Sequence, residues 1–170
     1  IECLLNDDPA AAATIARQLD ATNRRRGDIT TDMQAQALDH LDRLPRNDGE
    51  LPFGLCLFDD GWHQGVVGII AGRLRETTHR PVIVFAPDRD GRLKGSGRSV
   101  DGVHLRDVLA AVATDHPGLI HHFGGHAMAV GLTLAVERFA AFGLAFDAEV
   151  RRWLGADDLH GRLPSDGELE

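Results

Sequence analysis

The sequence predicts an α/β domain in which a central mixed β-sheet is flanked by helices and preceded by an α-helical connector. Residues 53–58 and 81–86 are short apolar runs typical of buried strands, and residues 66–75 between them have the apolar density of a helix packed on a sheet. Turn-forming residues at 87–91 then predict a hairpin that adds an antiparallel strand. With 170 residues and 43% hydrophobic content, the chain can bury one core, and its length suits one domain with an appendage.

The predicted connector, residues 1–50, contains two helices. The dipeptide Asp8-Pro9 caps and begins the first helix, which ends at Arg24–Gly27, where three arginines before a glycine suit the negative end of a helix dipole. A helix C-terminus is therefore favoured over a dedicated DNA clamp as the explanation of these three arginines. The second helix is capped by Thr31 and stopped by Pro45. Its apolar face consists of Met33, Ala37, Leu41 and Leu44.

The main domain is predicted at residues 51–154, because loop-forming residues at 47–52 separate it from the connector. Its later elements are predicted to be a strand at 94–99, an amphipathic helix at 103–113, a returning strand at 131–136 and a closing helix at 138–154. Residues 155–170 have the composition of a loop and are predicted to form a tail.

The acidic balance of the chain limits how it can bind nucleic acid. A formal net charge of −8 excludes a protein that coats a polyanion through its overall field, so a local basic patch would have to make the contact. The residues able to form such a patch are Arg89, Arg92, Lys94, Arg98, His104 and Arg106. A solvated loop of mixed charge is the alternative, because four acidic residues are interleaved with them, at 88, 90, 101 and 107.

The cysteines and the lack of long apolar runs indicate the compartment. Cys3 and Cys56 have apolar neighbours and no metal-ligand spacing, so they are predicted to be reduced core residues. No apolar run approaches the length of a membrane span, and the first residues lack a signal-peptide pattern, which predicts a soluble, cytoplasmic protein. The chain begins without methionine inside a helical pattern, which favours a piece of a longer polypeptide.

Two glycine-rich stretches carry most of the chemistry. Gly124 and Gly125 bring bare backbone N–H groups beside His126, whose imidazole can donate to an anion. The stretch Lys94–Ser99 offers a hydroxyl, a guanidinium and further unhindered backbone. If the two stretches meet in space, they would hold a nucleic-acid backbone or a phosphorylated small molecule. Each stretch alone is more often a turn or a hairpin loop, and only their co-occurrence favours a phosphate site.

Five ordered motifs resemble the bacterial RecJ exonucleases of the DHH phosphoesterase superfamily. The motifs are Trp62–Ala71, His79–Ile83, Lys94–Ser99, His104–Asp107 and Phe123–Ala129. Residues 1–46 are similar to the helical connector of that family, residues 51–152 to its DHHA1 domain, and residues 159–167 to the entry into its OB-fold domain. Val130 departs from the alanine that is usual in the family.

The resemblance implies a bacterial 5′→3′ exonuclease, specific for single-stranded DNA, that releases 5′-mononucleotides in DNA repair and recombination. Catalysis in the family belongs to an N-terminal DHH domain that holds Mn²⁺ or Mg²⁺. This sequence lacks the pattern of that domain, so the chain alone is expected to be inactive and to bind no metal or cofactor. The acidic pairs at 7–8, 59–60 and 157–158 are interpreted as structural, and His121 and His122 as a pair whose side chains point to opposite faces.

The resemblance also implies roles in holding the DNA backbone. Arg98 would grip a phosphate bidentately, Ser96 would add a hydroxyl contact, and Gly95 and Gly97 would let the strand approach closely. The group Gly124–His126 would present backbone N–H groups and an imidazole to the phosphate near the scissile bond. Residues expected to extend this contact are Lys94, Ser99, Arg106 and His63.

The expected partners are single-stranded DNA and the DHH and OB domains of the same polypeptide, with no membrane. Two other functions stay open. One is the DHHA1 module of an oligoribonuclease or a cyclic-dinucleotide phosphodiesterase, which the OB-like entry and the long connector disfavour. The other is a scaffolding domain whose glycines serve only turns. The structural alternatives for two histidines are a turn cap at His126 and a buried, hydrogen-bonded His63.

Overall fold

The computed structural model describes residues 5, 8–46, 50–155 and 159. Its elements are α1 (Pro9–Arg43), β1 (Leu55–Phe58), α2 (Val67–Thr78), β2 (Val82–Pro87), β3 (Arg92–Arg98), α3 (Leu105–Asp115), β4 (His122–Gly125), β5 (Ala129–Ala135), a 3₁₀ turn (Val136–Arg138) and α4 (Phe139–Val150). The five strands form one sheet in the order β1-β2-β3-β5-β4. The predicted class, a mixed sheet flanked by helices and preceded by a helix, is confirmed.

The mixed character of the sheet follows from its connections. Strands β1 and β2 are parallel and are joined by the crossover helix α2. The hairpin from β2 to β3 and the pairings of β3 with β5 and of β5 with β4 are antiparallel. At the β2–β3 turn, Asp90 and Gly91 have φ of 58° and 69°, a left-handed pair that suits a tight hairpin.

Each face of the sheet carries its own apolar core. Along β2, Ile83 and Phe85 point into the first core and Val82 and Val84 into the second, because successive side chains of a strand alternate between faces. The first core is closed by α3 and α4, through Leu105, Val108, Leu109, Val112, Phe142, Phe146 and Val150. The second is closed by α2 and by the C-terminal half of α1, through Val67, Ile70, Ala71, Leu74, Met33, Ala37 and Leu41.

The prediction of two connector helices is wrong, because α1 runs without a break from Pro9 to Arg43. Gly27, the expected end of the first helix, is an ordinary helical residue at which an added Cβ would meet nothing within 4 Å. Thr31 does not cap a second helix: its hydroxyl donates to the Gly27 carbonyl one turn back, at 3.1 Å. The three arginines before Gly27 therefore lie in mid-helix, and a helix C-terminus does not explain them.

Several smaller expectations can be checked in the same way. Asp8 caps α1 as predicted, since its Oδ1 accepts from the Ala10 N–H at 2.9 Å. The closing helix α4 ends at Val150 and not at residue 154. Cys56 is a free thiol against the first core, whereas Cys3 and the acidic residues 7, 157 and 158 lie outside the described residues. No helix in the described ranges is both long and apolar enough to span a membrane.

Candidate nucleic-acid interface

The two faces of β3 differ completely in chemistry. Leu93, Gly95 and Gly97 are buried, whereas Arg92, Lys94, Ser96 and Arg98 alternate with them and are exposed or half-buried. The polar residues therefore point to the face of the sheet that also carries α2. Helix α2 packs against β2 and β3 on that face and leaves Lys94 exposed and Ser96 and Arg98 half-buried.

Strands β5 and β4 extend this polar face into an uncovered surface. Gly131 and Gly124 are exposed, and the alternating Val130, Leu132 and Leu134 point into the first core on the other side. We call this surface the open face. It consists of Lys94, Ser96 and Arg98 on β3, Ala129, Gly131 and Thr133 on β5, and His122 and Gly124 on β4.

The strand register brings the two glycine-rich stretches together on the open face. Ser96 is paired with Gly131, and Gly131 is paired with Gly124, so these three residues form one row across three strands. Adjacent strands lie about 4.8 Å apart, which places Gly124 roughly 10 Å from Ser96. The two glycine-rich stretches therefore meet in space, as a shared phosphate site would require.

Arg98 lies at one corner of the open face, against the first turn of α2. A Nη atom of Arg98 donates to Ser96 Oγ at 3.2 Å and to the Gly97 carbonyl at 2.9 Å. An added Cβ on Gly68 would be 3.1 Å from the other Nη atom, so the missing side chain makes room for the guanidinium. No carboxylate among the described residues forms an ion pair with Arg98.

The electrostatics of this corner favour an anion. The first turn of a helix carries a partial positive charge and unpaired N–H groups, and α2 begins without a side-chain cap. A guanidinium beside it adds a second positive charge. The corner therefore brings together Arg98, the Ser96 hydroxyl and the helix N-terminus, a set of donors that suits a phosphate.

Three of the predicted contact residues face the core. A Cβ on Gly95 would lie 2.5 Å from the Phe85 ring, and one on Gly97 would lie 2.7 Å from Val130. Ser99 is fully buried, and its hydroxyl donates to the Val103 carbonyl at 2.7 Å. The structure gives these residues roles in packing and in the turn before α3, and it does not support side-chain contact between Ser99 and a ligand.

In the Gly124–His126 group, the two glycines end strand β4, and His126 begins the turn of a hairpin to β5. Gly125 has a φ of 136°, and a Cβ there would be 2.3 Å from the Ala129 carbonyl oxygen, so the turn requires glycine. The His126 N–H donates to that same carbonyl at 2.9 Å, which leaves it unavailable to a phosphate. The His126 imidazole is exposed, and its predicted contact with a phosphate stays a prediction.

His63 and Arg106 lie apart from the open-face row. His63 is exposed, and its Nδ1 accepts from the Gly65 N–H at 3.0 Å, so it caps the turn that leads into α2. The alternative of a buried, hydrogen-bonded His63 is therefore right about the hydrogen bond and wrong about the burial, whereas a contact with substrate stays a prediction. Arg106 is exposed on the first turn of α3, which packs on the opposite face of the sheet.

Lys94 is exposed on the open face, and one carboxylate influences it. Asp88, in the β2–β3 turn, has its pKa lowered mainly by a backbone hydrogen bond from Arg89 and then by Gln64, with Lys94 adding to the effect. Gln64 also donates to the Pro87 carbonyl at 2.7 Å, which fixes the start of α2 to the end of β2. The charge of Lys94 remains largely available to a ligand.

Sequence reasoning missed four residues of the open face: Ala129, Gly131, Thr133 and His122. The sequence predicts a strand at 131–136, so its alternation could have placed Gly131 and Thr133 on the polar face. His122 is interpreted from the sequence as one of two histidines whose side chains point to opposite faces, and its place on the open face is missed because β4 itself is not predicted. Within the described part of the chain, no group of three or more His, Cys, Asp or Glu side chains could hold a metal ion.

Comparison with known proteins identifies the domain family. The family model of the DHHA1 domain matches residues 52–152, and the chain belongs to the DHHA1 domain family. Its curated relatives include the single-stranded-DNA-specific exonuclease RecJ of Dickeya dadantii, 51% identical, and that of Escherichia coli, 47% identical. Each alignment covers 99% of this chain and 29% of the relative, so the chain spans less than a third of the length of these proteins.

Solved structures agree with this assignment. The chain superposes on RecJ from Thermus thermophilus in complex with Mg²⁺ with a TM-score of 0.73 and 30% identity, covering 90% of this chain and 22% of that one. An exonuclease RecJ bound to manganese gives a TM-score of 0.74 at 30% identity, over 90% of this chain and 36% of the other. The resemblance to RecJ predicted from the sequence is confirmed.

Proposed function

We propose that this chain is the substrate-holding DHHA1 portion of a longer RecJ-like exonuclease, which degrades single-stranded DNA from the 5′ end to mononucleotides in DNA repair and recombination. The observation that carries the proposal is the corner where Arg98 and Ser96 meet the uncapped start of α2. The exposed residues Gly124 and Gly131 lie beside this corner. A phosphate of the DNA backbone suits the positive charge of this corner, and a sugar–phosphate chain can lie against the exposed glycines. The names of the relatives supply the substrate class.

The role of this module is to position the strand while another part of the protein performs the chemistry. Relatives have been crystallised with Mg²⁺ and with Mn²⁺, which supports hydrolysis by metal-activated water in the whole enzyme. The DHH domain expected to hold those ions and the expected OB domain would be the partners of this module. Arg98 would hold the phosphate, and His126 would approach it from the β4–β5 turn.

We expect the purified chain to have no nuclease activity with Mg²⁺ or Mn²⁺, because its described residues include no metal-ligand group. The measurement is release of mononucleotides from a 5′-labelled single strand, with a full-length RecJ as the positive control. Metal-dependent release that copurifies with the chain through successive columns would contradict the assignment of catalysis to another domain.

The binding role is tested by titrating a fluorescent, 5′-phosphorylated single strand at several salt concentrations. We expect Arg98→Ala to weaken binding roughly 10- to 100-fold, since hydrogen bonds to charged groups contribute about 1.5–3 kcal/mol. The slope of log affinity against log salt should become shallower by about one. Arg138→Ala is the matched control, because Arg138 is exposed beside α4 and away from the open face.

Equal affinities of wild type and Arg98→Ala would refute the assigned role of Arg98. A specific observation favours the scaffold alternative, namely that Gly95 and Gly97 are needed by the core. A scaffold predicts no salt-sensitive binding in any of these proteins. The same titration therefore separates the two functions.

A further inference from the structure

A second polar row crosses the open face beside the Ser96 row. Lys94 is paired with Thr133, and Thr133 is paired with His122, so an ammonium, a hydroxyl and an imidazole lie side by side on β3, β5 and β4. All three are on the open face, because their strand neighbours point into the first core. Lys94 and His122 are exposed, and Thr133 is half-buried.

The groups of this row are not used by the fold. Neither Lys94 nor His122 forms an ion pair or a side-chain hydrogen bond with any residue in the described part of the chain, apart from the electrostatic effect of Lys94 on Asp88. Lys94 is also the single lysine of a chain that otherwise uses arginine. The row thus combines two cationic or proton-donating groups with a hydroxyl, the donor set suited to a phosphate.

The Ser96 row is bare at Gly131 and Gly124, and the fold does not require glycine at either position. An added Cβ on Gly124 would meet nothing within 4 Å, and one on Gly131 would meet only the Gly95 carbonyl oxygen at 3.9 Å. Neither residue has a positive φ. The protein could place side chains at both positions, and their absence leaves backbone that a ligand can approach closely.

The spacing of the rows matches one step of a polynucleotide. Lys94 and Ser96 are two residues apart on one strand, which separates the rows by about 7 Å. One sugar–phosphate repeat bridges such a distance. The charged and hydroxyl groups at the open-face positions of these three strands suit phosphate oxygens, which carry no sequence information, so the contact would be mainly with the backbone.

We infer that Lys94, Thr133 and His122 form a second phosphate site, which binds the phosphodiester next to the phosphate held by Arg98 and Ser96. This inference rests on the proposed function. It makes the open face a site for two successive phosphates of one strand.

The test compares a ligand that has one phosphate with a ligand that has two. Thymidine 5′-monophosphate and the 5′-phosphorylated thymidine dinucleotide are titrated into the ¹⁵N-labelled chain, and dissociation constants are obtained from amide shifts. We expect the wild type to bind the dinucleotide about tenfold more tightly. The double variant Lys94→Ala/His122→Ala should lose this preference and change the mononucleotide affinity less than about twofold. His121→Ala is the matched control and should change neither constant.

The possible outcomes distinguish the second phosphate site from the proposed function on which it rests. If Arg98→Ala weakens both ligands while Lys94→Ala/His122→Ala keeps the dinucleotide preference, only the second phosphate site is overturned. If the wild type binds neither ligand, both proposals fail.

A measurement on the unsubstituted protein guards against misfolding of the variants. Acetylation of the single lysine, followed by mass spectrometry, should be slowed by the dinucleotide and much less by the mononucleotide. Equal acetylation rates with and without saturating dinucleotide would overturn the site.

Discussion

At the scale of single residues, the glycines of the two motifs divide into two groups by what a side chain would meet. At Gly95 and Gly97, a Cβ would collide with buried side chains of the first core. At Gly124 and Gly131, it would enter open space. The first group lets the sheet pack, and the second leaves bare surface, so one glycine-rich pattern in the sequence serves two physical purposes.

This division predicts opposite effects of the same substitution on stability. Gly95→Ala should lower the free energy of unfolding by about 1–3 kcal/mol, because the Phe85 ring it would strike is itself held edge-on by Phe139 and Phe142. Gly131→Ala should leave stability unchanged or slightly higher, since alanine restricts the unfolded chain. Urea denaturation of the two variants checks this. Similar losses in both would show that the open face is packed in solution.

Cys56 predicts a loss of stability at alkaline pH. Burial, and then the nearby Asp147 carboxylate, raise the pKa of its thiol above the ordinary value of 9.0. Above that pH the unfolded chain releases the proton and the folded chain keeps it, so the free energy of unfolding should fall by at most about 1.4 kcal/mol per pH unit. Urea denaturation at a series of alkaline pH values measures the slope. Cys56→Ala should have a shallower slope, and an unchanged slope would contradict the assignment.

At the scale of elements, the sequence predicts the bounds of a strand or helix well when its local pattern agrees with its packing. Strand β2 and helix α3 lie within two residues of their predicted bounds, because an apolar run and a helical face are each buried as the pattern requires. Strand β4 is missed, since its two glycines carry no strand signal and only pairing with β5 makes them extended. Local propensity cannot anticipate such a partner.

The open face could be predicted only in part for the same reason. Ser96 and Arg98 follow from the motif, whereas Gly131 joins them through the register of β3 with β5, which brings together residues far apart in the chain. A sequence motif specifies residue types but does not show to which face of the sheet each side chain points. That is why the sequence assigns Gly95, Gly97 and Ser99 to a ligand although they point into the core.

The continuity of α1 predicts the effect of a substitution at Gly27. In a continuous helix, Gly27→Ala should favour the helical state by about 1 kcal/mol, because glycine loses more backbone entropy than alanine and no neighbour obstructs the Cβ. The measurement is amide hydrogen exchange of residues 20–28. If the helix instead broke at this glycine in a left-handed conformation, alanine would speed exchange, and the two-helix interpretation would be restored.

At the scale of the whole molecule, the second core joins the connector to the domain. Met33, Ala37 and Leu41 on α1 are buried against the sheet and α2, and Trp62 donates to Gln36 on the same helix at 2.9 Å. The described α1 residues before Ile29 include none that is buried, and Leu19 is 58% exposed. We therefore propose that the folding unit begins near residue 29, within the stretch that the sequence assigns to a connector at 1–50.

Truncation and substitution along α1 locate this boundary. Deleting residues 1–27 should change the free energy of unfolding of the remaining chain by less than about 0.5 kcal/mol, because the described part of that stretch is helix without buried residues. In the full chain, Leu41→Ala should cost about 2–5 kcal/mol, as expected for truncating a buried leucine. Leu19→Ala is the matched control on the same helix and should be nearly neutral. Urea denaturation followed by tryptophan fluorescence reports on the second core through Trp62. If Leu41→Ala were as mild as Leu19→Ala, the folding unit would begin after α1, at the boundary near residue 51.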